Sequence, residues 1–382
     1  MKIVSVMTTH SSGGAEFAAV ELLDALVDRG HDVVMLSDQP GIGRGTAVRV
    51  APVDLGPKLA VRTWRHLVLG FPRLARDLRA ALRAEGPFDV LLVHYKKEQL
   101  LAGLLSRDLA PRVAWAEWGP VPFPLRRGLP RALYLAAARR ASAVMAVSEG
   151  TRRSVADVGV PDAKIAVVPN VMRADELRFT PAGRARARER LGIPADAFVV
   201  GAISRFHPKK RNDVVVDAAV ALDDPRVHLV LAGSGETEDD LRRRAEPLGE
   251  RAHVVDTPGD DVADVLSAFD VSVFCPSPTE GAPRAVILAM LAGRACVSTG
   301  AEGVADLIPD GGGHILRPEN DVEALGAVLA EYRDDPALRA RHGTVAAEHA
   351  TRTYDRAIVA ARAEDVLLGT PTPRIHEEAG KL

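Results

Sequence analysis

The chain has 382 residues, too many for one hydrophobic core and enough for two domains at about 150 residues each. Hydrophobic residues make up 47% and charged residues 26%, which excludes a disordered or collagen-like chain. With 49 Lys plus Arg against 51 Asp plus Glu, the formal charge of -2 gives no global attraction to nucleic acid or to an anionic membrane.

In chain order, short β-branched runs alternate with segments of helical period, the pattern of βα units and a parallel sheet. The class expected is α/β. Strands are predicted at Lys2–Met7, Asp32–Leu36, Asp89–Val93, Arg112–Trp115, Ala143–Val147 and Ile165–Val168, with a first helix from Gly14 to Arg29-Gly30. The arginine-rich run from Arg184, ending in Gly192-Ile-Pro, reads as a linker with a short solvated helix. A second series follows: strands at Phe198–Ile203, Val227–Ala232, His253–Asp256, Val271–Cys275, Ala295–Thr299 and His314–Arg317, then helical runs from Asp321 to Leu368. The organisation predicted is a Rossmann-like domain over 1–172, a linker over 173–194 and a second Rossmann-like domain over 195–352. A helix over 353–368 returns to the first domain, and 369–382 forms a disordered tail. Two such domains facing across a cleft would place ligands at the carboxyl ends of the strands.

Neither the nine-residue apolar run Ala285–Gly293 nor the five-residue run Ile3–Met7 is long enough for a membrane span or a signal-peptide core. Cys275 and Cys296, in apolar runs, read as reduced core thiols, and the expected location is cytoplasmic. The histidines form no ligand-spaced cluster, so neither a metal nor another cofactor is expected.

Three loops carry chemistry. After Phe198–Ile203 come Arg205 and Lys210, basic side chains ahead of a helix, where point charges and free backbone N–H groups suit a diphosphate; a solvated basic turn is the alternative. Gly233 and Gly235 form a G-x-G that could approach a ligand or simply mark a tight turn. Glu280 precedes an apolar helix bracketed by Pro283 and Gly293, and could cap that helix or accept hydrogen bonds from sugar hydroxyls.

In their order and spacing these segments resemble glycosyltransferase family 4: Gly13-Gly14-Ala15-Glu16, Val147-Ser148-Glu149, Val168-Pro169-Asn170, the Arg205–Lys210 loop, Leu231-Ala-Gly-Ser-Gly235, Phe269-Asp270, and Glu280-Gly281 before Ala289-Met290. The resemblance covers roughly Met1–Leu368. It implies the GT-B fold and a retaining, metal-independent transfer of a sugar from a nucleotide diphosphate donor. It assigns Arg205 and Lys210 to the donor diphosphate, Gly14 to close approach of the first loop to the phosphates, and Glu280 to the donor sugar. Gly281, Ala282 and Arg284 fall in the loop whose backbone faces that sugar.

The chain departs from the family at three places, one of them Val171-Met172-Arg173 after Asn170, where Gly-Val-Asp is common. Leu288 stands where a second Glu usually bonds the ribose. Trp118 stands where a His often precedes the glycine of Trp118-Gly119, leaving Glu117 as the nearby titratable group. A hydroxyl desolvated without a partner costs about 1–3 kcal/mol, so Leu288 points to a thymidine diphosphate deoxysugar, as used in natural-product glycosylation. A catalytically weak, nucleotide- or glycan-binding member that supports another enzyme is the alternative. On the acceptor side, expected to take a small molecule or glycan, the candidates are Glu117, Trp118, His94 and Lys96. The last two, with Lys97, follow a strand end, where a surface role is equally open. Residues 57–140 hold 16 Lys plus Arg against 6 Asp plus Glu. Arg73, Arg76, Arg79 and Arg83 fall along one predicted helix, a solvated face or one that could meet an anionic membrane surface or a phosphorylated acceptor.

Overall fold

A computed structural model of the chain describes residues 1–10, 13–59, 64–172, 180–256, 262–277, 280–301, 303–317 and 321–370. Two compact units divide the chain: Met1–Met172 with Arg356–Leu382, and Arg173–Asp355. The first unit runs β1 (Lys2–Met7), α1 (Gly14–Asp28), β2 (Asp32–Ser37), β3 (Arg49–Pro52), α2 (Trp64–Ala84), β4 (Val90–Val93), α3 (Lys96–Ala102), β5 (Arg112–Glu117), α4 (Gly128–Ala138), β6 (Ala143–Ala146), α5 (Glu149–Val158) and β7 (Ile165–Val167). Among the described residues its strands form one sheet in the order β3-β2-β1-β4-β5-β6-β7, every pair parallel. The strands are apolar on both faces because helices cover both. Successive residues of β1 therefore enter different cores. Val4 and Val6 pack with Leu78, Leu101 and Tyr134 beneath α2, α3 and α4, while Ile3 and Met7 pack with Leu23 and Leu26 of α1.

The second unit runs α6 (Pro181–Leu191), β8 (Phe198–Ile203), α7 (Asn212–Ala221), β9 (Val227–Ala232), α8 (Glu238–Ala245), β10 (Ala252–Val255), α9 (Val262–Ala268), β11 (Val271–Phe274), α10 (Arg284–Leu291), β12 (Ala295–Thr299), β13 (Gly313–Leu316), α11 (Val322–Asp334) and α12 (Pro336–Tyr354). Its described strands form a parallel sheet in the order β10-β9-β8-β11-β12-β13. Asp355 is extended (φ -56°, ψ 138°) and ends α12. The next helix, α13 (Arg356–Leu368), belongs to the first unit, where Val359, Ala363 and Val366 complete the core on the α1 face. Arg356 bonds Asp24 and Asp28 of α1 and holds it there.

Two features differ from expectation. β3 carries no run of apolar alternation; it is a short edge strand ending in Pro52, a place where a missing N–H costs the ladder little. The arginine-rich α6 is not solvated along its length. Thr180 caps it and left-handed Gly192 ends it, but Arg188 is 3% exposed, donating to the carbonyls of Pro194, Ala195, Ala197 and Ala268 and to Asp270. Both cysteines are free and buried, and burial pushes each thiol up to about 12. The part of the predicted tail beyond Thr370, and residues 173–179 of the predicted linker, lie outside the described residues.

Candidate active site

In each sheet the strand order reverses once, and a parallel sheet opens a crevice at the carboxyl ends of the two strands that flank the reversal. In the second unit these are β8 and β11. The loop after β8 carries Arg205 and a 3-10 turn, Pro208–Lys210, before α7; the loop after β11 carries Glu280, Gly281 and Ala282 before Pro283 caps α10. Lys210 Nζ donates to Glu280 Oε1 at 2.7 Å, so side chains 70 positions apart meet at the reversal, with the ammonium 5.1 Å from the Phe274 ring centroid. The backbone N–H of Ser277 donates to the Lys209 carbonyl at 2.8 Å and ties the two loops together. Arg205 is exposed, and its guanidinium makes no ion pair with the described residues.

Gly233 and Gly235 follow β9 and sit against the same β8 loop. At φ +143° and +148° they take a conformation other residues rarely adopt. A Cβ on Gly233 would lie 2.0 Å from the Ser204 carbonyl oxygen, and one on Gly235 would lie 2.4 Å from that of Phe206. This pair therefore fixes the backbone that presents Arg205. Gly14, which opens α1 in the first unit, is different: a Cβ there would meet nothing within 4 Å, so packing does not require it to be glycine. In α10, Arg284 takes the first position and Leu288 lies half-exposed between the buried Ile287 and Ala289.

In the first unit the reversal lies between β1 and β4, and the polar groups there face inward. Trp118 Nε1–H donates to His94 Nδ1 at 3.2 Å, with the two ring planes 8° from parallel. The His94 proton must then sit on Nε2, from which it is donated to Ser5 Oγ at 2.7 Å. Burial drives the imidazole down to about 3, so it is neutral at physiological pH. Glu117, 3% exposed, accepts from Lys96, from Gln99 at 3.0 Å and from Tyr134 at 3.0 Å. Burial lowers the Lys96 pKa, and Glu117 beside it opposes that shift.

The chain matches the family model for Glycosyltransferase Family 4 over residues 12–176 and that for group 1 glycosyl transferases over residues 197–335. It is 35% identical to the D-inositol 3-phosphate glycosyltransferase of Streptomyces avermitilis over 386 residues, covering 90% of this chain and 80% of that one. The chain belongs to glycosyltransferase family 4. A lipopolysaccharide core biosynthesis glycosyltransferase, LpsE of Rhizobium meliloti, is 28% identical over 86% of this glycosyltransferase and 88% of its own length. Among solved structures, Anabaena Alr3699/HepE in complex with UDP superposes with a TM-score of 0.82 at 20% identity, covering 97% and 100% of the two chains. Sucrose-phosphate synthase from Thermosynechococcus elongatus gives 0.78 at 18% identity, covering 96% and 98%. The fold of this glycosyltransferase is therefore GT-B.

At the β1/β4 edge of this glycosyltransferase the sequence reading missed Glu98 and left the burial of Lys97 and His94 and the partners of Glu16 undetermined. Lys97 is 2% exposed and donates to the carbonyls of Thr8, Gly56 and Pro57, which corrects the surface role left open for it; His94, 2% exposed, is no surface residue either. Glu98 is fully buried, accepts from Thr8 and has its pKa raised by that burial. Glu16, in the first turn of α1, accepts from Tyr95 and Lys58. The signal was available in part: Tyr95-Lys-Lys-Glu98 follows a strand end directly, and such a run belongs at a sheet's functional edge.

Proposed function

We propose that this glycosyltransferase takes a nucleoside diphosphate sugar at the β8/β11 edge of its second unit and transfers the sugar, with retention, to a hydroxyl or amine acceptor. The meeting of Lys210 with Glu280 is the observation that supports this reading most: a cation for the diphosphate and a carboxylate for sugar hydroxyls stand 2.7 Å apart at one switch point. In the reaction the bond from the anomeric carbon to the diphosphate oxygen breaks, negative charge grows on that oxygen, and the acceptor oxygen or nitrogen takes its place on the carbon. The acceptor proton leaves with the diphosphate. Lys210 and Arg205 stabilise the growing charge without a metal. Turnover should accordingly change less than about twofold between excess Mg²⁺ and excess chelator, against the several kcal/mol that a required Lewis acid supplies. A strict metal requirement would overturn this mechanism.

Leu288 bears on the donor. It is half-buried, with part of its side chain open to solvent where a ligand could reach it. An alkyl group beside a ribose leaves its hydroxyls desolvated and unpaired, at about 1–3 kcal/mol. A deoxyribose presents one hydroxyl fewer, which favours a thymidine diphosphate deoxysugar, whereas the solved structure of HepE holds UDP. Thermal shift with uridine, guanosine, adenosine and thymidine diphosphosugars decides between them, since a ligand that binds only the native state raises its stability. Thymidine donors should bind tightest, and Leu288→Glu should tighten ribonucleotide binding by roughly 5- to 150-fold. Uridine or guanosine donors binding as tightly as thymidine ones to the wild type would reject the thymidine reading and leave the site itself standing. No response to any donor would reject the site.

At the first unit's edge, Glu117 and Lys96 neutralise each other and His94 is uncharged, so Trp118 presents an indole whose N–H is already satisfied. That favours a neutral acceptor with an apolar ring face over an anionic one, within the small-molecule or glycan class.

A further inference from the structure

Large apolar side chains on the described surface are few, and three fall within eleven residues, in the 3-10 turn Phe123–Arg126 and the first half of α4. Phe123 is 67% exposed, Leu129 72% and Leu133 54%. Residues 127–133 are all exposed, so this helix end projects from the unit instead of lying on it. Leu129, Leu133 and Ala137 follow at i, i+4 spacing. Ala137 is buried against Gly103, so the exposed part of this stripe is Leu129 and Leu133, and Leu104, 50% exposed, follows Gly103.

Along the chain on either side of this stripe the charge has one sign. From Trp118 to Ser148 there is no Asp or Glu, and arginines stand at 126, 127, 131, 139 and 140. The guanidinium of Arg127 lies 5.3 Å from the Phe123 ring centroid. On the same layer, Arg79 of α2 donates to the Leu104 carbonyl at 3.2 Å, and Arg73 and Arg76 on that helix, both paired with Asp77, have side chains 80% and 73% exposed. The basic face expected on α2 thus continues into an apolar tip on α4.

We propose that the projecting end of α4, with Phe123, Leu129 and Leu133 at its tip and the arginines around it, docks on an anionic lipid bilayer. A projecting helix end can sink its leucines to headgroup depth without a complementary groove, and an acid-free arginine collar matches the negative potential of anionic lipid. Among the described residues no helix is long and apolar enough to cross a membrane, so the contact is peripheral.

Co-sedimentation of the full chain with vesicles tests this. Partition onto phosphatidylcholine vesicles carrying about one-third phosphatidylglycerol should exceed that onto pure phosphatidylcholine by roughly tenfold or more, and fall as salt is raised. Leu129→Asp with Leu133→Asp, and separately Arg127→Glu with Arg139→Glu, should each remove about tenfold of that partition. All four side chains are exposed, so the fold should survive, which circular dichroism checks. Val345→Asp, exposed on the second unit, should leave partition unchanged. Equal partition onto neutral and anionic vesicles, wild-type partition in the folded leucine variant, or no sedimentation at all would each overturn the proposal.

Discussion

Lys210→Ala, and separately Arg205→Ala, is expected to lower kcat by roughly 30- to 1000-fold, the equivalent of about 2–4 kcal/mol of transition-state stabilisation. The diphosphate carries about two negative charges in the bound donor and gains about one more as it leaves, so the variants should raise KM for the donor, and the part of the interaction that strengthens with the added charge should be lost from kcat. Arg205 is exposed, so Arg205→Ala should leave the fold intact, whereas the Lys210–Glu280 pair is mostly buried, at 20% and 19% side-chain exposure, and Lys210→Ala strands a partly buried carboxylate at some cost in stability. Glu280→Gln separates the two roles at this edge. It removes the carboxylate that holds the Lys210 ammonium while keeping a group that can bond sugar hydroxyls, and should cost less than Lys210→Ala. Steady-state kinetics with matched circular dichroism spectra decides the matter. Wild-type rates in both cation variants would overturn the diphosphate assignment.

The parallel α/β class and the strands were readable because a strand covered on both faces must be apolar along its length, and such runs are hard to mistake between Gly- and Pro-rich turns. β3 escaped because an edge strand pairs through its backbone and needs no apolar pattern. The β8/β11 edge proposed for the donor could be picked out because Arg205, Lys210 and Glu280 lie in loops that follow predicted strands. Their meeting could not, since contact between residues 70 apart depends on which strands lie side by side. The first unit's edge was harder still. His94, Lys96 and Lys97 look like surface residues in a linear reading, and only the partners Glu117, Trp118, Thr8 and Ser5, supplied by other strands and loops, show that they are buried. Polar side chains are buried where partners exist, and a sequence does not display partners. The arginine-rich run of α6 misled for the same reason.

That run leads to the largest stability effect expected in the protein. Asp270, 7% exposed, lies between α9 and β11 and is the carboxylate to which three guanidinium groups turn: Arg184 and Arg188 at 2.7 Å, Arg339 at 3.5 Å. It also accepts from the Val199 backbone N–H at 2.7 Å and so pins the first residues of β8. Buried Arg294 donates to the neighbouring Phe269 carbonyl, and burial brings that guanidinium down to about 10. Three arginines thus share one carboxylate, and a fourth joins them on the carbonyls beside it. Asp270→Ala would leave the buried Arg188 charge and the Val199 N–H without their acceptor. Removing one partner of a buried pair costs about 3–5 kcal/mol, because the charge left behind is neither paired nor hydrated. In urea unfolding the transition of the second unit should therefore move well below that of the wild type, whereas Arg242→Ala, on the exposed face of α8, should shift it by less than about 0.5 kcal/mol. Asp270→Asn keeps an oxygen for Val199 but not the charge, so it should recover only part of the loss. Adding Arg188→Met to Asp270→Ala removes the stranded charge and should recover more. If Asp270→Ala unfolds within about 1 kcal/mol of the wild type, the carboxylate is not what anchors α6 to the sheet, and the backbone carbonyls alone hold the arginines.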